Sequence, residues 1–444
     1  MLALGLDELQ QEDEPPLPAS VPSGKKRRQV KDRLPEDLPV RITYVDPQEV
    51  TAEPDKYRCI GEESHSELSM THPVYFVNKT VRRKYVRKDD RTKPPVISPA
   101  EPRLIENSFA SVELLTDIVL KKYTEHLPLY RQEQTLKRRY GIELSRKTMS
   151  GWIWHIGNWL QIIYNEIKEE IRSSGYLQVD ETCIKYLDPG TGRAHSGYLW
   201  VYYTPGGGVI FEWHTGRGSE CLNSMLGHFF GDIQCDGYQA YRTFNLSRDE
   251  EDRCQIYACW AHVRRKFFNA QNESTVAAEI LREIQNLYRI ESELRKNNAT
   301  HEQRAVRRRE SKATLDDIKV LLDNALADHR PQSLTGKAVA YTLNLWNELT
   351  RYAETGHVEI DNNLVENAIR PTAIGKKNWL FFGSPDSGQQ SAIIFSVLET
   401  CRKLGVDQHA YLHDVLSRLP KLTAQEAKQL TPARWQKKHA VSAA

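Results

Sequence analysis

Gly175–Leu187 reads GYLQVDETCIKYL. Its Val, Ile, Tyr and Thr suit a pleated, half-buried strand. Yet Asp180 and Glu181 stand side by side in its middle, with no basic residue adjacent. A buried carboxylate is costly unless something compensates its charge. Neighbours on a strand point to opposite faces, so only one of the two acids can face a given site. Asp180 is the candidate, and Glu181, its rival, is expected to point away.

Reading outward, SGYLWVYYT and GGVIFEWHT are two further strand-like runs. The Gly-rich stretches between the three runs predict an antiparallel meander. SECLNSMLGHFF reads as helix, GDIQCDGYQAY as a short strand ending at Asp236 and Gly237, and CQIYACWAH as another strand. Residues 274–330 are charged and helical in pattern. Ile280, Leu287 and Leu294 form one apolar stripe, and Ile318, Leu321, Leu322 and Ala325 a second. AVAYTLNLWNEL is a third helix. EIDNNLVENAIRP opens a helix near Asn362 that meets Pro371, NWLFFGS is a brief strand or extended turn, and QSAIIFSVLETCRKLG is an amphipathic helix.

Three meander strands, helix, strand, helix, strand, helical insertion and final helix follow the ribonuclease-H-like α/β plan. That plan puts one acid in the middle of the first strand, one at the end of the fourth and one on a helix after the fifth. Asp180, Asp236 and Glu366 hold those places as catalytic candidates. Taken singly, each reads better as a turn or surface acid; together and in order they point to function. Three gathered carboxylates repel one another unless a cation lies between them. Hard oxygen ligands suit Mg²⁺ or Mn²⁺. Two such ions, about 3.5–4 Å apart, can activate an attacking oxygen and stabilise a leaving one.

Basic residues near these acids are candidates for binding DNA phosphates. Asn362 and Arg370 lie four residues to either side of Glu366, on one helical face. Arg264, Arg265 and Lys266 follow the fifth strand, and the role of His262 beside them stays open. Cys259 and His262 have C-x-x-H spacing without a second pair, which argues against zinc. Within the insertion, Arg304, Arg307, Arg308 and Arg309 are expected to clamp DNA. Further upstream, LYRQEQTLKRRYGIELSRKTMSGWIWHIGNWL gives helix, turn at Gly141 and helix capped by Ser145. As a helix-turn-helix it would present Arg146 and Lys147 to DNA. A plain helical hairpin is an equally good reading.

The expected organisation is a disordered tail and linker (1–56), a small module (57–95), a helical DNA-binding region (96–172), the catalytic core (173–271 and 336–405), the insertion (272–335) and a C-terminal tail (406–444). Across all 444 residues the net charge is +2, so global charge does not announce a nucleic-acid partner. Seven scattered cysteines without a C-x-x-C pair exclude a disulfide framework. No long apolar run or signal-peptide core occurs, which predicts a cytoplasmic protein without membrane contact.

VDET, CDGYQAY, CWAHVRRKFF, DNNLVENAIRP, GKKNWLFFGS and AYLHDVLSRLP…LTPARW resemble the IS66 family of bacterial insertion-sequence transposases. The resemblance runs from about Leu34 to the C-terminus. It implies a DDE transposase that cuts and joins DNA at the inverted-repeat ends of its own element, with a divalent metal. The acids of VDET, CDGY and NNLVENAIR are Asp180, Asp236 and Glu366. It also implies double-stranded DNA as partner, a homo-oligomer on DNA, accessory proteins of the same element, and association with the nucleoid. Members usually carry a four-Cys zinc module before the helix-turn-helix. Only Cys59 stands in that region, so zinc is not expected. The family's N-terminal zipper-like segment is expected to be short, with the chain starting near its end. Two other readings remain: a different ribonuclease-H-like nuclease, and a decayed copy that only binds DNA.

Overall fold

The computed structural model describes residues 42–442 apart from 57, 59, 61–67, 69–72, 87, 90–93 and 189. The chain divides into two compact units, Met1–Thr80 and Val81–Ala444. Among the described residues of the first is a short helix, Gln48–Ala52. Most of the expected tail, and Cys59 with the expectation about zinc, lie outside the described residues. The second unit is a mixed α/β structure and contains all the candidate site residues.

The meander forms as the alternation predicts. Strands β1 (Tyr176–Leu187), β2 (Ala194–Tyr203) and β3 (Val209–His214) pair antiparallel. Asp188 closes the first turn, its side chain accepting from the Gly190 amide. Strands β4 (Asp232–Cys235) and β5 (Gln255–Ala258) add on parallel, giving the order β3-β2-β1-β4-β5. β4 meets β1 only along Tyr176–Gln178. A two-residue strand, β6 (Phe381–Phe382), pairs with β1 again at Lys185 and Tyr186. Between those contacts, from Val179 to Ile184, that side of β1 has no strand partner among the described residues. Asp180 lies in this gap.

Three helices precede the sheet: α1 (Val112–Tyr123), α2 (Leu129–Tyr140) and α3 (Arg146–Arg172). Gly141 ends α2 in the left-handed conformation, with φ +66, which glycine reaches without steric cost. The Ser145 hydroxyl caps α3 by accepting from the Thr148 amide. At 27 residues α3 is long enough to span from the hairpin to the sheet. Its first turns expose Arg146, Lys147, Trp154 and His155, whereas Ile163, Ile167 and Ile171 are buried. Tyr164 donates from its hydroxyl to the Phe211 carbonyl of β3. One helix therefore ties the hairpin to the sheet.

After β4 come α4 (Gln239–Leu246), and after β5, α5 (Trp260–Ala270), α6 (Thr275–Lys296), α7 (His301–Arg308), α8 (Ser311–Asp328) and α9 (Leu334–Asn344). Ile280 and Leu287 of the first apolar stripe and Ile318 and Leu322 of the second share one core with Tyr257 of β5 and Trp260 of α5. The helix read across AVAYTLNLWNEL breaks at Leu345, which is buried, and a short helix Trp346–Thr350 follows.

The helix opened by DNNLVEN does not end at Pro371. It runs as α10, Asn363–Trp379, with the proline inside. Proline has no N–H for the carbonyl four residues back, that of Asn367. Arg402 of α11 (Pro385–Lys403) fills the vacancy, its guanidinium donating to the Asn367 carbonyl at 3.0 Å. The compensation comes from a residue far along the chain, so the local sequence could not announce it.

Candidate functional site

Residues in register on neighbouring strands share a face of the sheet. Asp180 is aligned with Val201, and Val201 with Phe211, whose ring meets Phe395 of α11. Glu181 is aligned with Trp200 on the other face, where Trp200 meets Tyr241 of α4. The strand thus separates the two acids. Asp236 immediately follows β4 at the chain reversal, its side chain accepting from the Tyr238 amide at 2.8 Å. Gly237 makes the reversal possible, with φ +87 and Leu345 so close that a Cβ would lie 2.7 Å from it. Glu366 projects from the first turn of α10.

The charges of Asp236 and Glu366 both act on the Asp180 carboxyl. Burial pushes this carboxyl well above the usual carboxylate range, and the charges of Asp236, Glu181 and Glu366 push it further. Its recorded hydrogen bond, from the Glu181 amide, opposes that shift. No cation reaches ion-pair distance of Asp180 among the described residues. Among those residues, too, no group of three or more His, Cys, Asp or Glu side chains is gathered closely enough to hold a metal ion. The donor chemistry nevertheless fits a hard divalent cation: three carboxylates act on one another, and their central member is destabilised as an anion.

Glu181, lacking a basic neighbour in sequence, finds one in space. Arg217, on the loop after β3, donates to it at 3.0 Å from Nε, and the Tyr241 hydroxyl donates at 2.8 Å. Arg217 in turn stacks over the Tyr238 ring, 4.0 Å from its centroid. Burial still raises the Glu181 carboxyl, and Asp236 adds to that, so Glu181 is turned away but not electrically remote. Neither Arg217 nor Tyr241 stood out in the sequence. A lone arginine in a Gly-rich loop carries no periodic signal.

The expected phosphate-binding residues divide. Arg265 reaches to 3.8 Å from Glu366, and His262 to 3.7 Å from its other oxygen. Burial lowers the His262 pKa, and its Nδ1 is buried without a partner. Lys266 sits 4.3 Å over the ring of Tyr341, which itself hydrogen-bonds the Asp236 carbonyl. Arg264 lines a shallow cleft between α5 and α6 with Phe268, Leu281 and Arg282. Arg370 is exposed one turn beyond Glu366. Arg146 and Lys147 are exposed at the start of α3, with Arg146 over the Tyr130 ring.

Two expectations need correction. Asn362 stands at the N-cap position of α10 without a side-chain capping bond, is completely buried, and has both side-chain amide atoms unpaired. It cannot touch a phosphate from there. Two of the four clamp arginines, Arg304 and Arg308, are engaged inside the protein, while Arg307 pairs at the surface and Arg309 is exposed. Arg308 is fully buried against Glu291, Arg304 bridges Glu291 and Glu359, and Arg307 pairs with Glu293 and Glu310.

Residues 107–390 match the family model described as Transposase IS66 family, and residues 396–433 that of the IS66 C-terminal element. Curated relatives occur in Sinorhizobium fredii (strain NBRC 101917 / NGR234), each named an uncharacterized protein. The protein y4qI is 34% identical over 81% of this chain and 68% of its own length. The protein y4jD is 31% identical over 87% of this chain and 80% of its own. No helix among the described residues is long and apolar enough to cross a membrane.

Proposed function

Because the chain belongs to the IS66 family of transposases, we propose that it cuts and joins DNA at the ends of its own insertion element, using Asp180, Asp236 and Glu366 on a ribonuclease-H-like sheet. The observation that carries this reading is Asp180 itself, an acid in a gap of the sheet, raised by burial and by three other carboxylates. A positive charge joining such an arrangement would stabilise it, and strongly shifted buried carboxyls gather at functional sites.

Asp180, Asp236 and Glu366 would hold Mg²⁺ or Mn²⁺, and binding would draw the carboxylates closer. A divalent cation in such a site lowers the pKa of an attacking oxygen and offsets charge on the leaving oxygen. The chain's own residues bind and orient the DNA. Arg146 and Lys147, on the exposed end of α3, grip the terminal repeat. Arg264, Lys266 and Arg370 approach the phosphates around the scissile bond. Arg265 and His262 hold the Glu366 carboxylate in place. Water or a DNA 3′-hydroxyl would attack the same phosphodiester geometry, so one site serves both cleavage and joining. The protein acts as a homo-oligomer on double-stranded DNA, with accessory proteins of its element, in the cytoplasm and on the nucleoid.

The test is a labelled terminal-repeat duplex incubated with supercoiled target plasmid in Mg²⁺ or Mn²⁺. Transposition predicts joined product. Cleavage without joining would make the protein a nuclease of the same chemistry. Binding without cleavage in either metal would leave only a DNA-binding role.

A further inference from the structure

Two residues before each of the aspartates stands a glutamine: Gln178 before Asp180 and Gln234 before Asp236. Residues two apart on a strand face the same side, about 6.6–6.8 Å from each other. Gln178 and Gln234 are register partners across β1 and β4, and both are completely buried. Buried amides in the middle of two apolar strands are unusual, and here each polar group is engaged.

The Gln178 side-chain nitrogen donates to the Gln234 side-chain oxygen at 2.9 Å, to the Tyr176 hydroxyl at 3.2 Å and to the Asp361 carbonyl at 2.9 Å. The Tyr176 hydroxyl donates to Gln234 at 2.7 Å and accepts from the Glu359 amide at 3.1 Å. Gln234 donates to the Glu359 carbonyl at 2.6 Å. The Gln178 oxygen accepts from the Val365 amide at 3.1 Å, and Val365 is the residue before Glu366. The three side chains thus connect the strand of the first acid, the strand of the second and the first turn of the helix that carries the third.

We propose that Tyr176, Gln178 and Gln234 are positioning residues that set the spacing of Asp180, Asp236 and Glu366 for a divalent cation. The proposal rests on the reading of those acids as the metal site. Its physical basis is that the three carboxylates repel one another while α10 is joined to β1 by no strand ladder. Without a fixed link, repulsion would push Glu366 and its helix away from the strands. Two buried amides and a phenol supply that link at short range and in one geometry, because each amide presents a donor and an acceptor in fixed directions. Lys376 ties the far end of α10 to the Thr182 hydroxyl at 3.3 Å and the Cys183 carbonyl at 3.1 Å of β1, and the buried network fixes the end that carries Glu366.

The decisive variants are Gln178→Met, which keeps length and loses the hydrogen bonds, and Tyr176→Phe, which removes only one hydroxyl. Tyr164→Phe is the control, because it deletes a buried hydroxyl bonded to the Phe211 carbonyl on β3, away from the acids. Mn²⁺ affinity is measured directly by electron paramagnetic resonance on the full chain, beside melting temperature and end cleavage against Mg²⁺ concentration. Gln178→Met should weaken Mn²⁺ binding and raise the Mg²⁺ requirement about 10- to 100-fold. Tyr176→Phe should do so less, and Tyr164→Phe should change melting alone. Hydrogen exchange of the peptide containing Val365 should quicken in Gln178→Met. Wild-type Mn²⁺ affinity in both network variants overturns the proposal; if Gln178→Met fails to fold, Tyr176→Phe decides alone. Asp180→Asn runs in parallel. Full cleavage by that variant overturns the site reading as well, whereas its loss alongside metal-indifferent network variants overturns the positioning role only.

Discussion

The insertion and the sheet each bury charge, in opposite ways. In the insertion Glu291 and Arg308 are 1% and 0% exposed, and they meet at 2.7 Å. Arg308 also donates to the carbonyls of Thr355 and Val358, Arg304 joins Glu291 to Glu359, and Arg295 completes the set on Glu359. On the sheet, Asp180 has carboxylates for neighbours and burial against it. A saturated cluster holds elements together, here α6, α7 and the segment leading to α10. An unsaturated one carries a cost at neutral pH that a bound cation or a proton removes. The difference teaches where to look: paired buried charge holds elements together, and uncompensated buried charge is the candidate for function.

The largest effect on stability should come from opening the saturated cluster. Arg308→Met leaves buried Glu291 with only the 3.4 Å contact of Arg304, which it shares with Glu359, and should cost about 3–5 kcal/mol. Adding Glu291→Leu should recover much of that loss in chemical denaturation. Equal losses for the single and double variants would show that packing, not charge pairing, dominates there.

The unsaturated cluster should respond with the opposite sign. Asp180→Asn should stabilise the metal-free protein at neutral pH by about 0.5–2 kcal/mol, the trade-off expected where function needs a strained site. The Asp180 carboxyl is raised on folding, so its ionisation penalty is absent below the ordinary Asp value of about 4 and grows as pH rises through the raised value. The gain from Asp180→Asn should therefore shrink as pH falls towards 4. Glu359 behaves in reverse. Burial raises it, but Arg304 and Arg295 outweigh burial and leave it lowered. Its contribution is present above the ordinary carboxylate range and is lost as pH falls through the lowered value. Melting curves of wild type and Asp180→Asn across pH 4–8 check the first trend. A constant difference across that range would contradict it.

The smallest effect should come from Arg307, whose side chain is 39% exposed in its pair with Glu293. Arg307→Ala should change stability by about 0–1 kcal/mol and leave the salt dependence of DNA binding unchanged. A shallower salt slope would return Arg307 to the DNA-contacting surface.

The sheet was legible because its signals are local. Alternation gave the three meander strands, and Gly-rich turns gave their order. The acids could be assigned because each falls at a strand or helix position that a plan of elements defines. What escaped was pairing over long separations. The run RAVRRRESK reads as a solvated basic face, and nothing in it shows that Glu291 and Glu359 claim Arg304 and Arg308. Helical spacing put Asn362 on one face with Glu366 and Arg370, but Asn362 stands at the N-cap position and is buried. How the helix passes Pro371 could not be read locally, because the compensating donor, Arg402, is remote. The recurring Gln-x-Asp in LQVDET and IQCDGY was visible throughout; only the register of β1 with β4 gives it meaning.

The central claim is that Asp180, Asp236 and Glu366 act as one site. The most direct test compares Asp180→Asn, Asp236→Asn and Glu366→Gln with wild type on the terminal-repeat duplex, scoring binding and cleavage in Mg²⁺ in the same samples. The account predicts that each variant binds the duplex as wild type does and that cleavage falls by about three orders of magnitude or more in all three, since each removes charge stabilisation from the same transition state. Near-wild-type cleavage by any one of them would contradict it.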